Sequence, residues 1–351
     1  MIKYFYGDNM TKRKKIKVKK KIKILFTLIL LIIISISSIK IYQTFSNKNT
    51  QITIPANTTT KNTDKISTSL KELNYNEEEI TTLKKYVSEE NLNFIINNKL
   101  NNNTIISLVN ENYYIDEYLE KYLNYYENNQ DLDFKEIITR VNTHIDNEFY
   151  TNSIETNTSL GKFVILNKFY KADNTYKGQN LITVDKKYNL YNTDFQLSEE
   201  CFEAFLKMYN DAEEAGYAFK INSAYRSYEK QVNIYNGWVN QDGTEKADTY
   251  SARPGYSEHQ TGYAFDVRDY PKTNDDYGKT KSFTWVSQNA HKYGFILRFP
   301  KGKEYITGYQ YESWHYRYCG IECATYIYEH DITFEEYYEY FIKFNNPKNL
   351  T

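Results

Sequence analysis

The chain has 351 residues, 37 of them tyrosine, and a formal net charge of -1. Its length exceeds one typical domain of about 100–200 residues, so one or two folded units with appendages are expected. Residues 1–40 carry eleven Lys/Arg and one Asp, which leaves 33 basic and 44 acidic residues in the remainder. This acidic remainder argues against a nucleic-acid partner, because phosphate binding needs a basic surface.

The chain begins with a basic segment followed by an apolar one. Lys12–Lys23 contains nine Lys/Arg and no acid, and Ile24–Ile39 is uncharged. This stretch is shorter than the about 20 residues that cross a bilayer. Lys23 and Lys40 can snorkel, however, and Ile41–Tyr42 extends the apolar run.

The pattern predicts a cytoplasmic tail over 1–23 and a single transmembrane anchor over 24–42. Because positively charged flanks stay inside, everything beyond the anchor is expected outside the cell. A cleaved signal peptide is the alternative, but Ser35-Ile36-Ser37 is a poor cleavage site and no lipoprotein cysteine is present.

Two further segments precede the region with chemical motifs. Residues 43–68 are rich in Asn, Thr, Ser and Lys, which is typical of a flexible linker. Residues 69–148 have apolar positions at helical spacing, and Asn76 is a candidate N-cap followed by three glutamates. We predict a small helical region there and find no chemistry in it.

A domain over 150–345 follows, with helical and strand-like segments that predict a mixed α+β fold. The strand-like segments are Phe163–Leu166, Leu181–Val184 and Ala218–Ser223, and a helix is predicted over Ser198–Gly216. The expected fold is a small catalytic domain with a central antiparallel sheet and flanking helices.

The first motif with chemical potential is Ser257-Glu258-His259-Gln260-Thr261-Gly262-Tyr263-Ala264-Phe265-Asp266. Gly262 allows a backbone conformation that a side chain would forbid, and Tyr263–Val267 resembles a buried strand. A carboxylate in an apolar strand needs a cation or metal as partner. His259 lies across the glycine bend and can reach the same centre as Asp266.

The second motif, Glu312-Ser313-Trp314-His315-Tyr316-Arg317, sits where a loop enters an aromatic strand. Two histidines and one aspartate are the ligand set of a catalytic zinc site, which leaves one position for water. Glu312 would accept the proton of that water and pass it to the leaving amine.

A third motif, Ser223-Ala224-Tyr225-Arg226-Ser227, supplies an arginine. Its guanidinium can hold a terminal carboxylate or stabilise an oxyanion.

With Gln231, these three motifs resemble the zinc D-alanyl-D-alanine carboxypeptidases and dipeptidases, including the VanY-type enzymes and their L,D-carboxypeptidase relatives. The resemblance covers about Leu166 to Ile327. It implies an enzyme that removes the terminal D-alanine from peptidoglycan stem peptides, and the outward-facing anchor predicted above suits the location of that substrate. We expect a monomer.

The resemblance also implies a role for each motif residue. His259, Asp266 and His315 are the expected Zn2+ ligands, Glu312 the general base, and Arg226 the group near the scissile carbonyl. Gln231 and Ser257 are expected to bind substrate, and no organic cofactor is predicted. Phe299 stands where relatives often have tyrosine, which bears on the preference for a terminal residue.

Two other functions stay open from the sequence. The same fold can serve as a non-catalytic wall-binding module, and two histidines with a carboxylate can also hold the iron of an oxygenase. The spacing of His259 and Asp266 is wider than that iron triad usually has. The single histidines His144, His291 and His330 are interpreted as structural, and Cys201, Cys319 and Cys323 as packed thiols.

Overall fold

The structure, a computed structural model, describes residues 65–100 and 102–345. The chain divides into a unit of Met1–Ser69 and a compact unit of Leu70–Thr351. Of the first unit, residues 65–69 are described and are helical, which includes the last residues of the predicted linker. The predicted tail over 1–23, the anchor over 24–42 and the rest of the linker lie outside the described residues.

Within the described ranges, every helix is too short or too polar to cross a membrane.

The predicted helical region is present. Asn76 caps its first full helix by accepting hydrogen bonds from the backbone N–H groups of Glu78 and Glu79, at 2.9 and 3.0 Å. The Glu79 carboxylate accepts in return from the Asn76 N–H at 2.8 Å. This capping box satisfies backbone donors that the helix leaves unpaired, so the start predicted at Asn76 is confirmed. The helices of the region are α1 (Glu77–Tyr86), α2 (Glu89–Asn97), α3 (Asn102–Asn110), α4 (Leu119–Glu127) and α5 (Phe134–Asn142).

This helical region packs against the C-terminal part of the chain. The ring of Tyr113 stacks on that of Tyr340 with 3.9 Å between centroids. His144 Nε2 lies 3.0 Å from a carboxylate oxygen of Glu339, and both side chains are buried. The region is therefore joined to the following domain by buried polar and aromatic contacts.

The domain after residue 150 is a mixed α+β domain, as predicted. Its strands are β1 (Ile154–Glu155), β2 (Tyr170–Lys171), β3 (Leu181–Thr183), β4 (Gln196–Ser198), β5 (Phe219–Ser223), β6 (Ala264–Asp269), β7 (Phe295–Leu297) and β8 (His315–Tyr318). Its helices are α6 (Glu199–Glu214), α7 (Tyr228–Asp242), α8 (Thr244–Ala247), α9 (Lys281–Asn289), α10 (Glu304–Thr307), α11 (Ile321–His330) and α12 (Phe334–Tyr337).

The central sheet has the strand order β5-β6-β8-β7, and all neighbouring strands are antiparallel. In the pairing of β6 with β8, Asp266 is opposite His315. Directly opposite residues project to the same face with neighbouring side chains. The register therefore brings two of the predicted metal ligands together.

An aromatic core lies between the sheet and helix α6. Phe205 of α6 contacts Phe219 of β5 and Phe265 of β6 edge to face, at 5.9 and 5.4 Å between centroids. Helix α6 occupies the range predicted from the sequence, and Gly216 follows it with φ of 84°. The helix thereby supports the rear of the sheet that carries the site.

The strand predicted over Phe163–Leu166 is wrong. The side chains of Val164, Ile165 and Leu166 are buried, but their backbone forms no sheet pairing. The Val164 N–H instead donates to the Gly161 carbonyl, and the Val164 carbonyl accepts from Arg317 at 2.7 Å. A short apolar run indicates that a segment is buried, but a buried segment can be helix, strand or coil.

Gly262 ends the short 3-10 turn over Glu258–Thr261 and leads into β6. Its φ of 78° is the left-handed conformation that favours glycine. A Cβ at this position would lie 2.5 Å from Leu181 Cδ2. The bend that separates His259 from Asp266 thus needs a glycine for conformational and for steric reasons.

We expect Gly262→Ala to lower the free energy of unfolding by about 2 kcal/mol or more, because left-handed backbone and overpacking each cost about 1–2 kcal/mol. Gly237→Ala is the matched control, since Gly237 is an exposed position of helix α7 and a Cβ there meets no atom within 4 Å. That control should gain about 0.5–1 kcal/mol. Urea unfolding of both full-length variants measures the difference, and equal stability would contradict this account of the bend.

Candidate metal centre

His259, Asp266 and His315 meet at one buried point, and they come from the 3-10 turn, from β6 and from β8. Each offers a ligand atom, and these atoms all lie within 4.8 Å of one another. Asp266 Oδ1 is 3.6 Å from His259 Nε2 and 3.2 Å from His315 Nδ1. Residues that are distant in the sequence therefore present two imidazole nitrogens and a carboxylate oxygen to a common centre.

The orientation of His259 is fixed from behind. Its Nδ1 donates a hydrogen bond to the Ala224 carbonyl at 2.8 Å, since a carbonyl can only accept. The His259 carbonyl in turn accepts from the Arg226 N–H at 3.1 Å. The Nε2 lone pair of His259 is therefore directed towards Asp266, as a metal ligand requires.

The pKa values of the two histidines are consistent with a site that binds a cation. Burial, and then the charge of Arg226, lower the pKa of His259 to about 4, so its Nε2 carries no proton at neutral pH. Burial also acts to lower the pKa of His315, but Asp266 and Glu258 outweigh it and raise the pKa to about 9. A metal ion can replace the proton on Nδ1 of His315, because the nearby carboxylates that stabilise that proton would also stabilise a metal cation.

Two atoms of the group provide a direct test of whether a metal fits. His259 Nε2 and Asp266 Oδ1 are buried and have no hydrogen-bond partner. Unpaired buried polar atoms are costly, and a cation between them would remove that cost. Two imidazoles with one carboxylate suit zinc among the divalent metals. The residues present therefore fit the metal that the sequence motifs imply.

Glu312 lies beside the three ligand residues. Its Oε2 is 3.6 Å from His315 Nδ1, and its backbone N–H donates to the Phe299 carbonyl at 3.1 Å. Burial raises the pKa of Glu312 to about 7, while the charges of His315 and Arg226 act against that rise. A neighbouring cation would favour its carboxylate form. Glu312 is thus placed to exchange a proton close to the metal position.

The remaining predicted residues line the same cleft. Arg226 has a buried Nε with no hydrogen-bond partner, and the side-chain N–H of Gln231 donates to the Ala252 carbonyl at 2.7 Å. That bond leaves Gln231 Oε1 buried and unpaired. Ser257 is buried next to them. Unpaired polar atoms in a cleft are the groups that a polar ligand can satisfy.

Several residues that line the cleft lie outside the motif positions, and they were not assigned to the site from the sequence. Trp238 and Tyr250 contact each other edge to face at 5.5 Å, and Tyr309 packs on Phe299 at 4.8 Å. Tyr309 lies three residues before Glu312, so its position beside a motif was the available signal. Trp238 and Tyr250 have no such neighbour in the sequence.

The residues interpreted as structural lie outside this group. His291 stacks on Tyr328 at 3.9 Å, and His330 stacks on Tyr326 at 3.8 Å. The three cysteines are buried free thiols. Among the residues that the structure describes, the set that could hold a metal is His259, Asp266 and His315.

Comparison with known proteins finds relatives of the domain that contains this site. Residues 194–321 match the family model "VanY: D-alanyl-D-alanine carboxypeptidase". YodJ of Bacillus subtilis (strain 168) is 39% identical over 181 residues, which make up 50% of this chain and 66% of that protein. The D-alanyl-D-alanine carboxypeptidase of Enterococcus faecium is 32% identical over 187 residues, 51% of this chain and 58% of that enzyme. The solved LdcB LD-carboxypeptidase is 38% identical, with 50% of this chain and 85% of that chain covered and a TM-score of 0.47.

Residues 194–321 form a domain of the VanY family of D-alanyl-D-alanine carboxypeptidases. The resemblance predicted from the three motifs is confirmed. The VanY match includes every predicted site residue from Arg226 to His315, whereas the helical region before residue 150 lies outside it. The chain spans less than two thirds of the length of the two sequence relatives above.

Proposed function

We propose that this chain, through its VanY domain, is a zinc-dependent carboxypeptidase that releases the terminal D-alanine of peptidoglycan stem peptides. The observation that carries the proposal is the meeting of a metal-ligand group, an acid–base carboxylate and an arginine in one cleft. Zinc held by His259, Asp266 and His315 would supply a Lewis acid that makes a water molecule more acidic.

The chain's own groups complete the hydrolysis. Glu312 accepts a proton from the attacking water, whose oxygen forms a bond to the scissile carbonyl carbon. The carbon–nitrogen bond then breaks, and Glu312 returns the proton to the leaving amine of D-alanine. The products are a shortened peptide with a new carboxylate and a free amino acid.

Arg226 provides the positive charge that this reaction needs near the substrate. Burial lowers the pKa of Arg226, but the charges of Asp266 and Glu312 oppose that effect. The guanidinium can stabilise negative charge on the carbonyl oxygen or hold the terminal carboxylate, and both uses favour a substrate with a free C-terminus.

Glu312→Gln should reduce D-alanine release by a factor of about 100 or more, because general-base catalysis contributes about 10²–10⁴-fold. Zinc content should stay at one per chain, since Glu312 is not among the three ligands. The assay uses the full-length protein with a pentapeptide that ends in D-alanyl-D-alanine and a tetrapeptide that ends in one D-alanine. Glu245→Gln, an exposed carboxylate of α8, is the control and should keep full activity.

The two substrates separate D,D from L,D cleavage. Binding of both peptides without turnover by the zinc-loaded protein would instead favour a wall-binding module. Iron content with dioxygen-dependent turnover would favour the oxygenase.

We also propose that residues 24–42 anchor the enzyme in the cell membrane with the catalytic domain outside. The basic flank over 1–23 and the location of the substrate in the cell wall support this orientation.

Protease treatment of intact cells tests this topology in a chain with epitope tags at both ends. The C-terminal tag should be lost and the N-terminal tag protected, and both tags should stay on one membrane-bound band before treatment. A band that has lost the N-terminal tag would show cleavage and overturn the anchor.

A further inference from the structure

A buried network of four charged side chains lies directly behind the metal centre. Glu258, Arg298, Arg317 and Glu335 are each at most 3% exposed. Glu258 Oε1 accepts hydrogen bonds from Arg298 Nε at 2.8 Å and from Arg317 Nη1 at 3.0 Å. Arg298 also donates to both carboxylate oxygens of Glu335. Both arginines thus bind the same oxygen of Glu258.

The other oxygen of Glu258 faces a metal ligand. Glu258 Oε2 lies 3.5 Å from His315 Nε2, and neither atom has another hydrogen-bond partner. The opposite ring nitrogen, Nδ1, faces Asp266 at 3.2 Å and Glu312 at 3.6 Å. The imidazole of His315 is therefore held between the metal position on one side and Glu258 on the other.

With a metal ion bound, only one tautomer of His315 suits both the metal position and Glu258. A carboxylate accepts hydrogen bonds, so Glu258 favours a proton on Nε2 of His315. Nδ1 then keeps a lone pair for the metal. His259 has the matching arrangement with its nitrogens exchanged, because its Nδ1 donates to the Ala224 carbonyl.

We propose that Glu258 is a positioning residue that sets the tautomer and orientation of His315, and that Arg298 and Arg317 hold its carboxylate in place for that purpose. The inference rests on the metal site of the proposed function. It adds a residue that the sequence motifs left without a role, and it explains why two arginines are buried behind the site.

Glu335 provides a matched comparison. It is as deeply buried as Glu258 and shares Arg298 with it, and its Oε1 accepts from the Asn167 side chain at 3.2 Å. No contact joins Glu335 to a metal ligand among its hydrogen bonds and ion pairs in the described part of the chain. Neutralising Glu335 therefore disturbs the network without disturbing His315.

The substitution Glu258→Gln is expected to do more than remove charge. The arginines are donors, so they would draw the amide oxygen of glutamine towards themselves and turn its NH2 group towards His315 Nε2. An N–H donor at that place favours the tautomer of His315 with the proton on Nδ1. In that tautomer Nδ1 has no free lone pair for the metal. Zinc binding then requires the amide or the ring to reorient.

The test compares zinc affinities of the full-length wild type, Glu258→Gln and Glu335→Gln by competition with a chelator, at a temperature where circular dichroism shows all three folded. We expect Glu258→Gln to weaken zinc binding by about 10–100-fold, the usual effect of losing an outer partner of a ligand histidine. Glu335→Gln should change it by less than about threefold, because its effect is on stability alone. Equal affinities for the two variants would overturn the inference while leaving the proposed function intact.

A second measurement needs no variant and applies even if Glu258→Gln does not fold. Nitrogen-15 NMR of the histidines in the zinc-loaded wild type should show His315 with a proton on Nε2 that exchanges slowly with water. A proton on Nδ1, or none on Nε2, would overturn the inference. Failure of the wild type to bind zinc would instead overturn the proposed function, and this inference with it.

Discussion

The site depends on the register between β6 and β8, in which Asp266 stands opposite His315. Side chains alternate between the faces of a sheet, so a slip of one residue would move one of the two to the wrong face. The register is supported by the aromatic packing of Phe265 on Tyr316 and Phe295 on the same face of the core. Packing of aromatic rings thus fixes the relative position of Asp266 and His315. The bend at Gly262 then brings His259, the third ligand, to the same point.

The second requirement is to bury several charges close together. The carboxylates there are paired differently: Glu258 forms ion pairs with two arginines, whereas Asp266 Oδ1 lies near His259 Nε2 and His315 Nδ1 without a hydrogen bond. A buried charge is tolerated when it is paired and hydrogen-bonded, whereas an unpaired one is costly. The atoms left unpaired, such as His259 Nε2 and Asp266 Oδ1, are those a cation would contact. The paired charges around Glu258 therefore stabilise the fold, whereas the unpaired atoms that face the metal position are available for metal binding.

The sequence predicted the mixed α+β fold, the N-cap at Asn76, the helix before Gly216 and the motif side chains that meet in the cleft, because each has a local or motif-based signal. It misplaced a strand at Phe163–Leu166, where a buried apolar run obtains its hydrogen bonds from a turn and from Arg317. The contact of Glu258 with His315 and the packing of the helical region on Tyr340 also escaped prediction. Both join residues far apart in the chain, and a single sequence contains no periodicity that reports such contacts.

Anomalous diffraction at the zinc absorption edge, from crystals of the zinc-loaded protein, would locate the metal ion and its ligand atoms. We expect one strong peak, bound by His259 Nε2, the Asp266 carboxylate and His315 Nδ1 at about 2.0–2.2 Å, with Glu312 close by but not bound. A peak at another place, or a zinc ion held by Glu312 in place of Asp266 or through His315 Nε2, would contradict this ligand assignment.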